Sequence, residues 1–304
     1  MSMRRKNLAP VHGWLVMDKP HGLTSTQALG KARRYLNGDK VGHGGTLDPL
    51  ATGILPLAFG EATKMVPFIM DGDKEYEFTV RWGEQRDTDD AEGKVTATSN
   101  KRPTPEQIQD VLKDFIGTIE QTPPAFSAIK LEGQRAYDLA RAGAAPEMKP
   151  RPVLIRSLIY VDSPDANTAR FHVHCGKGMY VRSLARDLAI KLGTYGYIAG
   201  LRRTRVGPFT LDQAISLEKL EELSHNNAAL TALLALRAAL DDIPGMDLSA
   251  SEAQRLRSGQ SILIRPQHGD LIDAKLIFAE HQGVPVALIE PKAGSFRVVR
   301  GFSF

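Results

Sequence analysis

The chain has 304 residues, 42% of them hydrophobic, which is enough for a substantial core and points to about two domains. Its net charge of +4 and pI of about 9.1 give a mild basic excess that suits a polyanionic partner such as RNA. A single cysteine, Cys175, excludes an intrachain disulfide and any zinc site built on several cysteines of this chain. No stretch approaches the length of a membrane span, and the basic start, Met1 to Asn7, is not followed by the apolar run of a signal peptide. A cytoplasmic location is expected.

The first dense motif is Gly42-His43-Gly44-Gly45-Thr46-Leu47-Asp48-Pro49-Leu50-Ala51-Thr52-Gly53-Ile54-Leu55. Gly44 and Gly45 allow backbone approaches that a Cβ would forbid, and Pro49 fixes the angle just after the carboxylate. An Asp-Pro pair is an ordinary turn signal. A lone carboxylate beside a histidine on such a loop is also well placed to be presented to a ligand.

Residues 75–82 alternate cleanly. Tyr76, Phe78, Val80 and Trp82 face one way, and Glu75, Glu77, Thr79 and Arg81 the other. That is a half-buried strand with the Tyr76 phenol at one end of its apolar face. Thr104-Pro105-Glu106-Gln107 opens a helix with a cap, a first-turn proline and a capping-box glutamine. Ile108, Val111, Leu112, Phe115 and Ile116 continue it at helical spacing, and Gly117 is expected to end it. Residues 124–152 are rich in Pro, Gly, Ala, Lys and Arg.

From Arg170 to Cys175 the alternation returns, with Cys175 read as buried filler and His172 and His174 on the polar side. The i, i+2 histidine spacing could suit a metal, but no third ligand is nearby and none is expected. Between Arg170 and Arg205 stand eight basic residues (Arg170, Lys177, Arg182, Arg186, Lys191, Arg202, Arg203, Arg205) against one acid, Asp187. The segment is either a solvated basic face or a phosphate-binding surface. A second helix is predicted from about Val181 to Leu192, stopped by Gly193, with Arg182 in its first turn and Arg186 one turn later.

Near Ile243-Pro244-Gly245 the character changes, and a boundary is expected between 1–245 and 246–304. A short helix, about Ser251 to Arg257, precedes the apolar runs 262–264, 276–278, 286–289 and 296–299. This pattern predicts a small β-barrel or sandwich of about 60 residues. Strands and helices mix without regular βαβ alternation, so the fold class is α+β rather than doubly wound.

Leu47-Asp48-Pro49-Leu50-Ala51-Thr52-Gly53-Ile54-Leu55 resembles the catalytic motif of the pseudouridine synthases. With Val41-Gly42-His43 before it and Gly60-Glu61-Ala62-Thr63-Lys64 after it, the run resembles the TruB branch, the tRNA pseudouridine-55 synthases of bacterial type. Further blocks match in family order across 13–210. They are Gly13-Trp14-Leu15-Val16-Met17-Asp18-Lys19-Pro20, Gly22-Leu23-Thr24-Ser25, Lys74-Glu75-Tyr76, Pro123-Pro124-Ala125-Phe126-Ser127-Ala128-Ile129-Lys130 with Gly133, Lys177-Gly178-Met179-Tyr180-Val181-Arg182-Ser183-Leu184, and Leu201-Arg202-Arg203. One departure is Gly44-Gly45-Thr46, which adds flexibility beside Asp48 and leaves the aspartate intact.

The resemblance implies a mixed, largely antiparallel sheet flanked by helices, with a PUA-like C-terminal barrel. It implies an RNA-gripping insertion within about 124–152. The expected activity is isomerisation of uridine to pseudouridine in the TΨC loop of tRNA, by a monomer, with no cofactor and no metal. Asp48, Tyr76 and Arg182 are the candidate catalytic residues. His43, Tyr180, Leu201, Lys130 and Lys19 are candidate substrate contacts, the two lysines to phosphate or the pocket wall, with support of the sheet alone as the alternative for Lys19.

Asp48 can act as a covalent nucleophile on carbon 6 of uracil or on the ribose anomeric carbon, and the sequence does not choose. A model aspartate is already ionised at neutral pH, so the role of Arg182 is to orient the carboxylate, with a two-bond fork expected. Tyr76 would stack on the uracil, and its hydroxyl would assist removal of the carbon 5 proton. His43 would fill the stack vacated by the flipped base.

A non-catalytic tRNA-binding or folding protein on the same scaffold is the alternative, and it would need a damaged constellation. A P-loop enzyme is disfavoured because neither Gly60-Glu61-Ala62-Thr63-Lys64 nor Gly176-Lys177-Gly178 has the required run. A paired-carboxylate glycosidase would have to draw on Asp87-Thr88-Asp89-Asp90, which reads as a solvated acidic turn.

Overall fold

The computed structural model describes residues 10–127, 148–240 and 243–304, and the backbone alone at 130–131 and 134–135. The large sheet runs in the order Ile215–Ser216, Gly13–Lys19, Thr52–Phe59, Gly196–Val206, Lys74–Trp82, Thr168–Cys175, Arg151–Asp165, Gly117–Gln121. Pairing is antiparallel except at two seams. Gly13–Lys19 runs parallel to Ile215–Ser216, and Thr52–Phe59 runs parallel to Gly196–Val206. The fold is therefore α+β with a mixed, largely antiparallel sheet.

Sequence pattern explains the position of each strand. Gly13–Lys19 and Thr52–Phe59 are near-continuous apolar runs and lie in the middle of the sheet, covered on both faces. Lys74–Trp82 alternates, and its inward residues Phe78, Val80 and Trp82 pack with Phe171 and Val173 under two helices. Phe78 and Phe171 stack with ring centroids 5.2 Å apart. The covering helices are Pro105–Leu112, through Ile108 and Leu112, and Val181–Lys191, through Val181, Leu184, Ala185 and Leu188. Helix Ser25–Leu36 covers the other end with Ala28, Ala32 and Leu36 against Leu15, Met17, Leu55 and Leu57.

The outward positions carry polar and ionisable side chains. His172 pairs with Glu75 at 3.2 Å, Arg202 with Asp18 at 2.8 Å, and His174 with Asp73 at 3.1 Å. Such exposed pairs contribute about 1 kcal/mol or less each. The two histidines thus meet carboxylates on or beside the neighbouring strand. Cys175 is buried, and burial pushes its thiol up to about 12.

One predicted helix ends early. The helix opened by Thr104 stops at Leu112, a single 3-10 turn covers Lys113–Phe115, and Ile116 is 47% exposed. Gly117 does not cap the helix. It begins the edge strand Gly117–Gln121 at φ +96°, an angle at which the chain can turn back along the sheet.

The C-terminal sheet is a curled five-stranded half-barrel of PUA-like form, in the order Gly245–Asp247, Ile277–His281, Val284–Lys292, Ser295–Gly301, Ile262–Leu263. Helix Ala250–Arg257 packs on it through Ala253 and Leu256, opened by a Ser249/Glu252 capping box. The short strand Gly245–Asp247 pairs parallel with Ile277–His281, so Gly245 is already part of this sheet. Phe278, Leu288 and Phe302 join the same apolar cluster as Trp14, Val16, Ile54 and Phe209. Lys64 Nζ donates to the Gly301 carbonyl at 2.8 Å, and the Glu61 carboxylate accepts from Ser303 N at 2.9 Å. A shared core joins the two sheets.

Candidate active site

Asp48 lies in the loop between Val41–His43 and Thr52–Phe59. Leu47 and Leu50, both buried, pin the loop on either side of it. The buried Ser25 hydroxyl accepts from Leu47 N at 2.7 Å and donates to Leu47 O at 3.0 Å, which closes both polar groups of the residue before the aspartate. Gly22 N donates to Pro49 O at 2.8 Å. Gly53 sits at φ +95°, and a Cβ there would lie 2.2 Å from the Arg203 carbonyl oxygen. The loop exit is therefore pressed directly onto the Gly196–Val206 strand.

Arg182 comes from the first turn of Val181–Lys191. Its side chain is 6% exposed and its Nε is 3.0 Å from Asp48 Oδ2, while the Asp48 side chain is 36% exposed. The contact is a single one. The other donors of the guanidinium go to the Thr88 carbonyl at 3.0 Å and the Phe126 carbonyl at 2.9 Å, with Asp90 Oδ2 at 3.7 Å from Nη1. The expected two-bond fork on Asp48 is absent because the terminal nitrogens are engaged elsewhere. The result is a tethered cation whose closest approach to Asp48 is at Oδ2.

The acidic turn is solvated only in its first half, where Asp87 is exposed. Asp89 and Asp90 are 6% and 3% exposed. Asp89, at φ +60°, pairs with Arg186 at 2.9 Å, and burial raises its carboxyl to about 6 against the pull of that arginine. Asp90 accepts from Thr88 Oγ1 and from Glu92 N and so holds its own turn beside Arg182. Two consecutive arginine turns of one helix are thus met by two consecutive aspartates.

Tyr76 stands on Lys74–Trp82 in register with Arg203 on one neighbour and Val173 on the other. It packs against two of the apolar clusters of the large domain, as does Leu201. Burial raises the Tyr76 phenol, and the nearby Arg203 charge opposes the rise. Tyr180 is the N-cap residue of the Arg182 helix. The Gln121 amide clamps its backbone, accepting from Tyr180 N at 2.8 Å and donating to Tyr180 O at 3.2 Å. Its ring lies under Arg151, 5.2 Å from centroid to guanidinium carbon. His43 ends the strand before the loop. Burial first, then the Arg203 charge, lower its pKa, so the imidazole is neutral at neutral pH.

Lys19 takes the supporting role that is one of its two expected readings. It is fully buried, and its ammonium donates to the Leu23, Pro20 and Pro49 carbonyls at 2.7, 2.9 and 3.3 Å. All three protons are directed to the backbone around the Asp48 loop, so the side chain braces that loop. The Lys130 side chain lies outside the described residues.

Sequence reasoning missed Ser25, Asp90, Gln121 and the inward role of Arg203. Ser25 and Arg203 lie within matched blocks, but nothing in residue type or spacing marked them. Asp90 was visible only as part of an acidic run.

Comparison with known proteins gives the family of the chain. A model of the TruB family pseudouridylate synthase N-terminal domain matches residues 33–181, and one of the tRNA pseudouridylate synthase B C-terminal domain matches 182–243. A tRNA pseudouridine synthase B of Caulobacter vibrioides is 50% identical over 98% of both chains. One from Bradyrhizobium diazoefficiens is 55% identical over 86% of this chain and 77% of its own length. The fold matches a chain of the solved structure "Crystal Structure of a Cbf5-Nop10-Gar1 Complex" at TM-score 0.72 and 23% identity, over 96% of this chain and 85% of the other. At half-identical sequence over nearly its whole length, this chain belongs to the TruB family of pseudouridylate synthases.

Proposed function

We propose that this enzyme isomerises uridine to pseudouridine in tRNA, at position 55 of the TΨC loop, with Asp48 as the nucleophile. The observation that carries the reading is a part-exposed carboxylate held by a buried arginine on a doubly pinned loop. In the reaction the bond between uracil nitrogen 1 and the ribose breaks. The base turns, carbon 5 bonds to the ribose, the carbon 5 proton leaves, and nitrogen 1 takes up a proton. Atoms and electrons balance within the nucleotide, so no oxidant, reductant or energy carrier is required. Covalent attack by Asp48 on uracil carbon 6 or on the ribose fits the same geometry.

The target base must leave its stack, at a cost of a few kcal/mol. The neutral imidazole of His43 is suited to stack in its place without importing a charge. Tyr76, Tyr180 and Leu201 supply the apolar walls for the turning uracil. The insertion within 124–152, with Lys130, would grip the RNA arm. The unit 1–245 would carry the catalysis and 246–304, PUA-like, would add RNA affinity. We place the enzyme in the cytoplasm as a monomer, where its substrate is made. No helix among the described residues is long and apolar enough to cross a membrane.

The test is tritium release from tRNA transcripts labelled at carbon 5 of their uridines. About one release per tRNA, lost when the TΨC-loop uridine is replaced, is the expected result. Release that survives the replacement would move the target elsewhere. No release, with tight tRNA binding retained, would favour the binding or folding protein.

A further inference from the structure

Gln121 closes the edge strand Gly117–Gln121, and this polar residue is only 1% exposed. A buried amide needs hydrogen-bond partners. Among the described residues, both bonds of its side chain go to one residue on another element. Oε1 accepts from Tyr180 N at 2.8 Å, and Nε2 donates to Tyr180 O at 3.2 Å. These partners fix the orientation of the amide, since an N–H can meet only its oxygen and a carbonyl only its nitrogen.

Tyr180 is extended, at φ −106° and ψ 117°, and is the last residue before Val181–Lys191, with no side-chain hydrogen bond capping that helix. The Gln121 amide pairs with it as the backbone of a neighbouring strand would. The residues after Gln121 continue the seating. The Thr122 carbonyl accepts from Ser183 Oγ at 2.8 Å and from Arg186 Nη2 at 2.9 Å, and the Phe126 carbonyl accepts from Arg182 Nη2 at 2.9 Å. Arg151, in register with Gln121 on the next strand, donates to the Gly178 carbonyl at 2.8 Å. The start of the arginine helix is thus bonded to the sheet edge at Gly178, Tyr180, Arg182, Ser183 and Arg186.

Two groups of the active site ride on that helix start. Tyr180 brings its ring, and Arg182 meets Asp48 through a single nitrogen. A one-point contact has no second bond to correct a displaced backbone. We infer that Gln121 is a positioning residue for the isomerisation, whose amide sets the place of Tyr180 and, two residues on, the reach of Arg182 to Asp48. The inference rests on the enzymatic reading above.

Two measurements test it. Gln121→Met nearly keeps the length of the side chain and removes both its donor and its acceptor. A misplacement of about 1 Å at reacting groups can cost on the order of 100-fold in rate. The single-turnover rate of pseudouridine formation should therefore fall about 10- to 100-fold, with the Kd for tRNA changed by less than about threefold. A merely structural amide would lower the urea midpoint and leave the rate of the folded enzyme untouched. A wild-type rate in folded Gln121→Met, or a loss confined to Kd, would overturn the inference.

The second measurement uses the wild type alone and guards against a variant that fails to fold. Gln121 Oε1 is the partner of the Tyr180 N–H, so site-resolved hydrogen exchange should find that amide at least about 100-fold slower than an unstructured one. Exchange at the unstructured rate would overturn the inference. A wild type that releases no tritium would sink the enzymatic reading and this role with it, while slow exchange at Tyr180 would distinguish that failure from a missing clamp.

Discussion

Lys19 offers a sharp quantitative test. Its ammonium is sealed among three carbonyls beneath the Asp48 loop, and burial lowers its pKa from 10.5 to about 8, against the attraction of Asp48. In the unfolded chain the amine titrates near 10.4. Between these values the unfolded state binds the proton and the native state does not. Stability must therefore rise with pH across about 8 to 10.5. The whole shift corresponds to about 3 kcal/mol, of which about 2 kcal/mol falls between pH 7 and pH 9.5.

The three carbonyl acceptors favour the charged form, so this figure is an upper bound. The assay is urea unfolding of wild type and Lys19→Met at both pH values. The substitution leaves carbonyls unpaired at every pH, so the change in the difference between the two proteins isolates the titration. Wild type should gain on the variant by about 1 to 2 kcal/mol at pH 9.5. A difference that stays constant, or that moves toward the variant, would refute the placement of this amine in a desolvated brace.

Gly53→Ala should be among the most damaging single methyl additions. The new Cβ would meet the Arg203 carbonyl at 2.2 Å at a backbone angle of φ +95°, so a loss of about 3 kcal/mol or more by urea unfolding is expected, and a near-neutral result would contradict the packing. Ser25→Ala strips Leu47 of both hydrogen bonds and should cost about 1–3 kcal/mol in the same assay. Asp89 titrates in the opposite sense to Lys19. Its carboxyl is raised to about 6 by burial, so between about 4 and 6 the native state holds the extra proton, and stability from this group is lost as pH rises through that window. Asp89→Asn should flatten that stretch of the stability–pH curve relative to wild type, and a steeper decline would reverse the assignment.

Local pattern carried the architecture a long way. Period-two alternation marked Lys74–Trp82 and Thr168–Cys175, and a glycine-stopped apolar stripe marked Val181–Lys191, because each of these elements buries one face. The sequence was silent where distant segments meet. Asp89 and Asp90 look like a surface turn until Arg186 and Arg182, more than ninety residues later, are folded onto them. Arg202, Arg203 and Arg205 are chemically alike in the sequence and quite different in the fold. Arg202 reaches Asp18 and Arg205 reaches Glu75, both outward, while Arg203 turns inward. A β-bulge between Arg203 and Arg205 breaks the alternation that would otherwise send both to one face. Of the two readings open for Lys19, the structure shows the bracing one. Lys19 ends a strand buried on both faces, where even a lysine is enclosed.

The most direct measurement is tritium release from carbon 5-labelled tRNA by wild type and Asp48→Asn in parallel, with tRNA affinity measured for both. Asparagine keeps the size of the side chain and removes the nucleophile, so release should vanish while binding stays within a few-fold. Release by Asp48→Asn at a rate close to wild type would contradict the assignment of Asp48 as the nucleophile.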